Sequence, residues 1–298
     1  MSFRPFSRME THVFIYKVLF FKNSWRGKVE MQKIVFIGAG SMAEAIIHGW
    51  IKKEVFSSEQ IYIKNRSNVE RLEHLQESYG VQTLPSLNDL EDADVVILAM
   101  KPKDAKSAME MIAPYLGKHT AILSVLAGIS IGTIEEYLGA RPIARVMPNT
   151  SATIGMAASG VSFNINVTEE QKRQFLQMLE AIGIVIEVEE DQLHAVTALS
   201  GSGPAYLYYL LEAWETIGTE FGLSKETVRK LMVQTIAGSA AMLQTVKEEP
   251  CELRKKVTSP GGTTEAGIKA LEKHKFNEAI YASIKSAEAR SRELAKGE

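Results

Sequence analysis

An α/β domain built on a parallel sheet, followed by an all-α domain, is the fold class this sequence predicts, and three observations predict it. From Lys33 to about Glu189, short β-branched apolar runs alternate with amphipathic helical patterns. A glycine-spaced turn separates the first of these runs from the first helical pattern. After residue 189 the extended runs stop and only helical patterns remain. Strand–helix alternation places successive strands in parallel, with helices covering both faces of the sheet. At 298 residues the chain has room for one large or two ordinary domains.

The elements follow in order. "KIVFIG" (33–38), "QIYIKN" (60–65), "ADVVILAM" (93–100), "TAILSV" (120–125) and "PIARVM" (142–147) have the length and composition of buried strands. Between them, helical patterns fall near 41–53, 69–78, 103–115 and 130–138. The capping box "TEEQ" (Thr168–Gln171) opens a further helix, and "GIVIEV" (183–188) follows it as a strand. In the second half, Leu207, Leu210, Leu211, Trp214, Ile217 and Phe221 lie on one helical stripe. Ser224 caps the next helix, and two more patterns cover about 263–273 and 275–295. The expected division is an extension over 1–30, a nucleotide-binding domain over 31–189 and a helical domain over 190–298.

Composition narrows the function classes. A net charge of −2 lacks the basic excess of a nucleic-acid binder. The single cysteine, Cys251, has no partner for an internal disulfide or a cysteine zinc site, so a reduced thiol in a cytoplasmic protein and no metal are expected. No apolar stretch reaches the ~20 residues that span a bilayer, so no membrane partner is expected.

"VFIGAGSMAEAII" places Gly38, Gly40 and Ala43 in a G-x-G-x-x-A pattern between a strand and a helix. That context predicts a Rossmann-type turn: Gly38 for tightness, Gly40 for backbone approach to a pyrophosphate, and Ala43 for close helix packing. The second strand ends in "IKNRS", with no acid to hold a ribose 2′-hydroxyl. Arg66 can instead fork onto a 2′-phosphate, with Asn65 and Ser67 as donors, so NADPH is favoured and NADH remains possible. "AMKP" (Ala99–Pro102), "VLAG" (125–128) and Pro148-Asn149-Thr150 follow later strands, where ligands of open α/β sheets bind. Each is equally readable as an ordinary turn.

The helical half holds two more glycine- and hydroxyl-rich breaks, "LSGSGPAYL" (199–207) and "TSPGGTTEAGI" (258–268), each ahead of a helix. Free amides at a helix start, joined by several hydroxyls, suit a small anion such as a carboxylate. Simple capping needs only one such hydroxyl.

"SGSGPAY" and above all "VTSPGGTTEAGIKALE" resemble the signature of the pyrroline-5-carboxylate reductases. "GAGSMAEAI", "NRS", "AMKP" and "RVMPNT" fall in that family's order, and the resemblance runs from about Met31 to the carboxyl terminus. It implies reduction of 1-pyrroline-5-carboxylate to L-proline, and a homodimer or larger homo-oligomer formed through the carboxyl-terminal helices, making the all-α part a dimerisation domain. By position it implies that Gly38, Gly40, Ser41, Met42 and Ala43 hold the pyrophosphate, and Asn65, Arg66 and Ser67 the adenosine phosphate. Ala99, Lys101, Pro102 and Asn149 border the nicotinamide side. Ser259, Gly262, Thr263 and Thr264 grip the substrate carboxylate, with Ser259 and Thr264 the candidate catalytic residues. Where family members carry a Glu near the substrate nitrogen, this chain has Lys247, Glu248 and Glu249 before Pro250, and Glu248 is the candidate.

Reducing a protonated cyclic imine needs no strong acid or base, because alignment and electrostatic placement suffice. No histidine motif is present, which agrees with such chemistry. His48, His74, His119 and His274 read as surface or structural groups, and His194, just before "LSGSGP", is the one to watch. Two alternatives remain at this point. One is an NADP-dependent reductase of the hydroxyacid or ketol-acid type, with Lys101 handling a carbonyl oxygen. The other is a non-catalytic NADP(H)-binding redox sensor.

The first thirty residues lack the layout of a signal peptide and have no counterpart in the resemblance. "RGKVE" ahead of Met31 is compatible with purine-rich codons of a ribosome-binding site, so Met31 is expected as the natural start, with residues 1–30 non-native or disordered. The intact mass of natively expressed protein checks this: a species beginning at residue 1 or 2 refutes it.

Overall fold

The computed structural model describes Val29 and residues 31–296, so the expectation for the amino-terminal segment lies outside the described residues, Val29 apart. Among the described residues eight strands form one sheet: β1 (Ile34–Ile37), β2 (Ile61–Lys64), β3 (Gln82–Thr83), β4 (Val95–Leu98), β5 (Ala121–Ser124), β6 (Ile143–Met147), β7 (Ala157–Phe163) and β8 (Gly183–Glu187). Their order is β3-β2-β1-β4-β5-β6-β7-β8. β1 pairs in parallel with β2 on one side and β4 on the other, so the order reverses beside it. That reversal opens a crevice at the carboxyl ends of β1 and β4, the place where open α/β sheets bind ligands.

β1 and β4 are buried along their whole length, which accounts for the uninterrupted "IVFI" and "VVIL". Alternate residues feed two cores. Ile34 and Phe36 join Trp50, Phe175 and Leu179 on one face, while Val35, Leu98, Ile112 and Leu138 fill the other. Each such side chain contributes roughly 1.5–3 kcal/mol by leaving water. Helix α1 (Ser41–Lys52) is fastened by Trp50, whose ring lies 5.4 Å from Phe36 and whose Nε1 donates to the Met178 carbonyl at 2.7 Å. The helix that follows the glycine turn is thereby fixed to β1 and to the element carrying Met178. The remaining helices of this half are α2 (Val69–Tyr79), α3 (Ala105–Ile112), α4 (Ile131–Leu138) and α5 (Glu169–Glu180).

The sheet is not wholly parallel: β7 runs antiparallel to β6 and then pairs in parallel with β8. Residues 148–156 contain no crossover α-helix, and a parallel return needs a dozen or more residues. "AASGVSF" gave no strand signal because small residues replace the usual branched ones. One of them is required, since a Cβ on Gly160 would sit 2.9 Å from Val196.

Contacts divide the molecule into a sheet unit, up to Tyr206 and again from Tyr281, and a helical unit, Leu207–Ile280. These boundaries differ from the division at 189/190 drawn from the sequence. In the sheet unit, α6 (Leu193–Val196) runs into a π-helical segment, Thr197–Gly201. The other helices are α7 (Gly203–Glu220), α8 (Lys225–Thr245), α9 (Pro250–Lys256), α10 (Thr263–Lys273) and α11 (Phe276–Lys296). α7 and α8 pack closely at Gly218, where a Cβ would lie 2.4 Å from Val228. The apolar stripe of α7 is only partly covered: Leu210, Leu211 and Trp214 are half-buried, while Leu207 is 48% and Phe221 77% exposed. Among the described residues no helix is long and apolar enough to cross a membrane.

The end of α11 belongs to the sheet unit. Arg292 forks onto Asp191 at 2.5 and 2.8 Å, and a Cβ on Gly128 would meet the Leu294 carbonyl carbon at 3.3 Å. Buried His194 places Nδ1 2.8 Å from Ser291 Oγ. Burial first, then the Arg145 and Arg292 guanidinium groups, hold its imidazole below the usual range, with Asp191 and Glu288 opposing. Between that lowered pKa and the unfolded value of about 6.5, the unfolded chain carries a proton that the folded chain does not. Stability therefore falls as pH drops from about 6.5 toward the folded pKa, and is regained as pH rises. Thermal unfolding followed from about pH 7.5 to about pH 5 should show that loss, and His194→Gln should flatten it. An unchanged slope in the variant would exclude His194 as its source.

Candidate active site

The glycine turn is defined by what it touches. Gly38 has φ +108°, and a Cβ there would lie 2.5 Å from the Ala99 carbonyl carbon and the Met100 nitrogen. Its N–H donates to the Lys64 carbonyl at 2.8 Å, so the turn is joined to the ends of both β2 and β4. Gly40 then starts α1 in extended conformation with no side chain capping the helix. A Cβ on Gly40 would meet only the Ala99 oxygen, at 3.9 Å, so the space before the helix is open. The amides of Ser41, Met42 and Ala43 lie in the first turn, where the helix offers no acceptor and the dipole is positive. Fully buried Ala43 lets the helix seat closely on the sheet. Open space, missing cap and positive potential fit a dinucleotide diphosphate.

At the end of β2, the Asn65 carbonyl oxygen Oδ1 accepts from the Arg66 amide at 2.9 Å, leaving Nδ2 as a donor. The Arg66 side chain is 84% exposed, and Ser67 is exposed beside it. One neighbour was missed from sequence: Asp104 Oδ1 lies 3.8 Å from Arg66 Nη1. Pro102 starts a 3₁₀ turn, Pro102–Asp104, that carries this acid back toward β2, and local sequence shows the turn but not its target. An exposed pair of this kind is worth about 0–1 kcal/mol, so it leaves Arg66 able to exchange partners.

Ala99 is buried and its amide donates to the Ile37 carbonyl at 2.9 Å, whereas Lys101 and Pro102 are exposed. Buried Asn149 spends both ends of its amide inside the sheet unit. Its Nδ2 donates to the Ser200 carbonyl at 3.0 Å and its Oδ1 accepts from the Ser151 amide at 3.2 Å. Ser200 Oγ in turn donates to the Ala158 and Val196 carbonyls, each at 3.2 Å. At 199–207, read from sequence as an anion loop, two amides are bonded within the chain. The Ser202 amide closes a π-type bond to the Thr197 carbonyl at 2.8 Å, and the Ala205 amide donates to Ser202, so these amides are committed. Such π turns cluster at functional sites, and Asn149 is the side chain that fastens this one to β6.

In the helical unit, the second hydroxyl-rich break forms as the sequence suggested. α9 ends at Lys256, and the Thr258 hydroxyl donates to the Arg254 carbonyl at 2.7 Å. The chain turns through Gly261, φ +71°, and α10 begins after Gly262, again with no side-chain cap. Ser259, Thr263 and Thr264 are exposed at this end. The Gly261 amide donates to Glu265 Oε2 at 2.9 Å, so one amide of the loop already holds a carboxylate of the chain itself. Sequence reasoning passed over Glu265, although an acid in the first turn of a helix is a signal for such a contact. Glu248 is bound at 2.6 Å by Lys256 within the same unit. His74 Nε2 lies 3.3 Å from Glu44 on α1, and His194 is interior.

Sheet order, glycine turn and uncapped α1 define a dinucleotide-binding protein of the Rossmann type with a helical second part. Comparison with known proteins narrows the class. Residues 190–294 match the family model for pyrroline-5-carboxylate reductase dimerisation, and residues 33–128 match the model described as NADP oxidoreductase, coenzyme F420-dependent. Pyrroline-5-carboxylate reductase 2 of Bacillus subtilis strain 168 is 46% identical over 266 residues, 89% of this chain and 95% of that protein. The Staphylococcus haemolyticus pyrroline-5-carboxylate reductase is 41% identical, covering 89% and 99%. Among solved structures, that of Coxiella burnetii pyrroline-5-carboxylate reductase superposes with a TM-score of 0.82 at 36% identity, over 89% of this chain and 99% of that one. The Plasmodium falciparum pyrroline carboxylate reductase, solved with NADP bound, gives 0.80 at 29% identity, over 90% and 100%. The chain belongs to the pyrroline-5-carboxylate reductase family.

Proposed function

We propose that this chain reduces 1-pyrroline-5-carboxylate to L-proline, the last step of proline biosynthesis, with NADPH as the favoured hydride donor and NADH as a weaker one. The observation that carries the reading is a pair of glycine-started, uncapped helix ends, α1 and α10, in a chain of this family. The first suits a diphosphate, and the second, with Ser259, Thr263 and Thr264, suits the substrate carboxylate. A reduced nicotinamide bordered by Ala99, Lys101, Pro102 and Asn149 would supply the hydride for the carbon of the ring C=N bond. The chain's residues hold and orient, because the imine nitrogen already carries its proton near neutral pH and no side chain has to supply one. Ser259 and Thr264 donate to the carboxylate, and the Gly262 amide joins them only by exchanging its bond to the Ser259 carbonyl, 3.0 Å away. Glu248 serves the substrate nitrogen only by exchanging its bond to Lys256.

Asn65, Arg66 and Ser67 take the adenosine 2′-phosphate, while Ala99, Lys101, Pro102 and Asn149 border the nicotinamide side, Asn149 by bracing the π turn. The exposed stripe on α7 supports a homodimer or larger homo-oligomer formed through the helical unit. The free thiol of Cys251 supports a cytoplasmic location.

The reading is tested by following NADPH oxidation with 1-pyrroline-5-carboxylate and with a panel of 2-hydroxy and 2-keto acids. Turnover confined to the cyclic imine supports it, and turnover confined to the acids overturns it. Arg66→Asp should raise the NADPH KM by about 10- to 150-fold, the loss of a charge-assisted hydrogen bond, and leave the NADH KM nearly unchanged. Equal losses for both would remove the phosphate role. Thr264→Ala should raise the imine KM by the equivalent of about 1.5–3 kcal/mol, and an unchanged KM would take Thr264 out of the site.

A further inference from the structure

Arg71, on the first turn of α2, grips the glycine turn from behind. Its Nε donates to the Ala39 carbonyl at 2.8 Å, across 32 residues of sequence. Ala39 is the residue between Gly38 and Gly40, and it is buried. The same guanidinium pairs through Nη2 with the Glu44 carboxylate, in the first turn of α1. Glu44 is held further by the Tyr79 hydroxyl at 3.1 Å, with His74 Nε2 at 3.3 Å. The Arg71 backbone is fixed as well, its amide donating to Asn68 Oδ1, the cap of α2, at 2.9 Å. Arg71 and Glu44 are both about three-quarters buried, with side-chain exposures of 24% and 26%. Burial alone would raise the Glu44 carboxyl, but the hydrogen bond and charge of Arg71, with Tyr79 and His74, outweigh it and hold the group ionised.

The consequence follows from peptide geometry. The described bonds are all trans, and in a planar trans peptide the carbonyl and the amide point opposite ways. Fixing the Ala39 oxygen toward α2 therefore turns the Gly40 N–H away from α2. We infer that Arg71, braced by Glu44, is a positioning residue for dinucleotide binding: it sets the orientation of the Ala39–Gly40 peptide, and with it an amide of the diphosphate cradle. The inference rests on the dinucleotide reading of that turn. It does not need the imine substrate. A buried ion pair adds little to stability on balance, whereas its two-point geometry constrains a loop tightly.

Because the diphosphate is common to both cofactors, Arg71 should affect NADPH and NADH alike, unlike Arg66. Affinities of Arg71→Met for each dinucleotide, read by nucleotide fluorescence without substrate, should both weaken about tenfold. In the steady state the dinucleotide KM should rise to match, with kcat within about twofold and the imine KM unmoved. Unaltered affinities in a variant that melts cooperatively, or a loss confined to NADPH, would overturn the inference. Should Arg71→Met fail to fold, Glu44→Gln keeps the side-chain volume and removes the charge that orients the guanidinium. A smaller but equal weakening for both dinucleotides then supports the role, and no weakening rejects it. Absence of imine turnover in the parent protein would count against the proposed reaction while leaving these binding measurements readable.

Discussion

The site depends on one close approach between two stretches of backbone. Gly38 lies so near the Ala99–Met100 peptide that any side chain would overlap it, and its amide reaches the Lys64 carbonyl. Three strand ends are thereby drawn together at the reversal in sheet order. A methyl group at this position would force the β1 turn away from β4, and the backbone there already has a positive φ that L-residues avoid. The rest of the dinucleotide end inherits its placement from that contact. The direction of α1, the proximity of "NRS" to the turn and the position of the Lys101–Pro102 corner are all set by it.

The treatment of helix starts supplies the second theme. α2, α4, α5 and α8 each begin with a side chain that accepts an amide of the first turn: Asn68, Ser130, Thr168 and Ser224. α1 and α10 begin at Gly40 and Gly262, which have no side chain to cap the first turn. A cap is worth about 1 kcal/mol, and a glycine at the cap position forgoes it at both places. Both are places where an anion can do the capping instead.

Much of this could be read from the residues in order. β1, β2, β4, β5 and β6 announced themselves by branched apolar runs, and α5 by its capping box, because these signals are local. β7 did not, since Ala157, Ala158, Ser159 and Gly160 carry no strand pattern, and Gly160 is required by Val196 packed against it. Nor did the π segment, which arises where Ser200 and Asn149 tie a helix to the sheet. At the site, the glycine turn and the Ser259–Thr264 break were legible because each is a contiguous motif. Asp104, Glu44 and Arg71 were not, since each gains its meaning from a partner 27 to 38 residues away that only the folded chain supplies.

The carboxyl-terminal helix carries a practical consequence. Its last turns are stitched to the sheet by Arg292 and Ser291, and the Leu294 backbone rests on Gly128, whose φ of +75° shapes the loop leaving β5. This part of the helix is thus a wall of the nucleotide half. Trimming it, or hanging a fusion partner directly on Lys296, would strain the β5 loop before it disturbed the helices that come ahead of it.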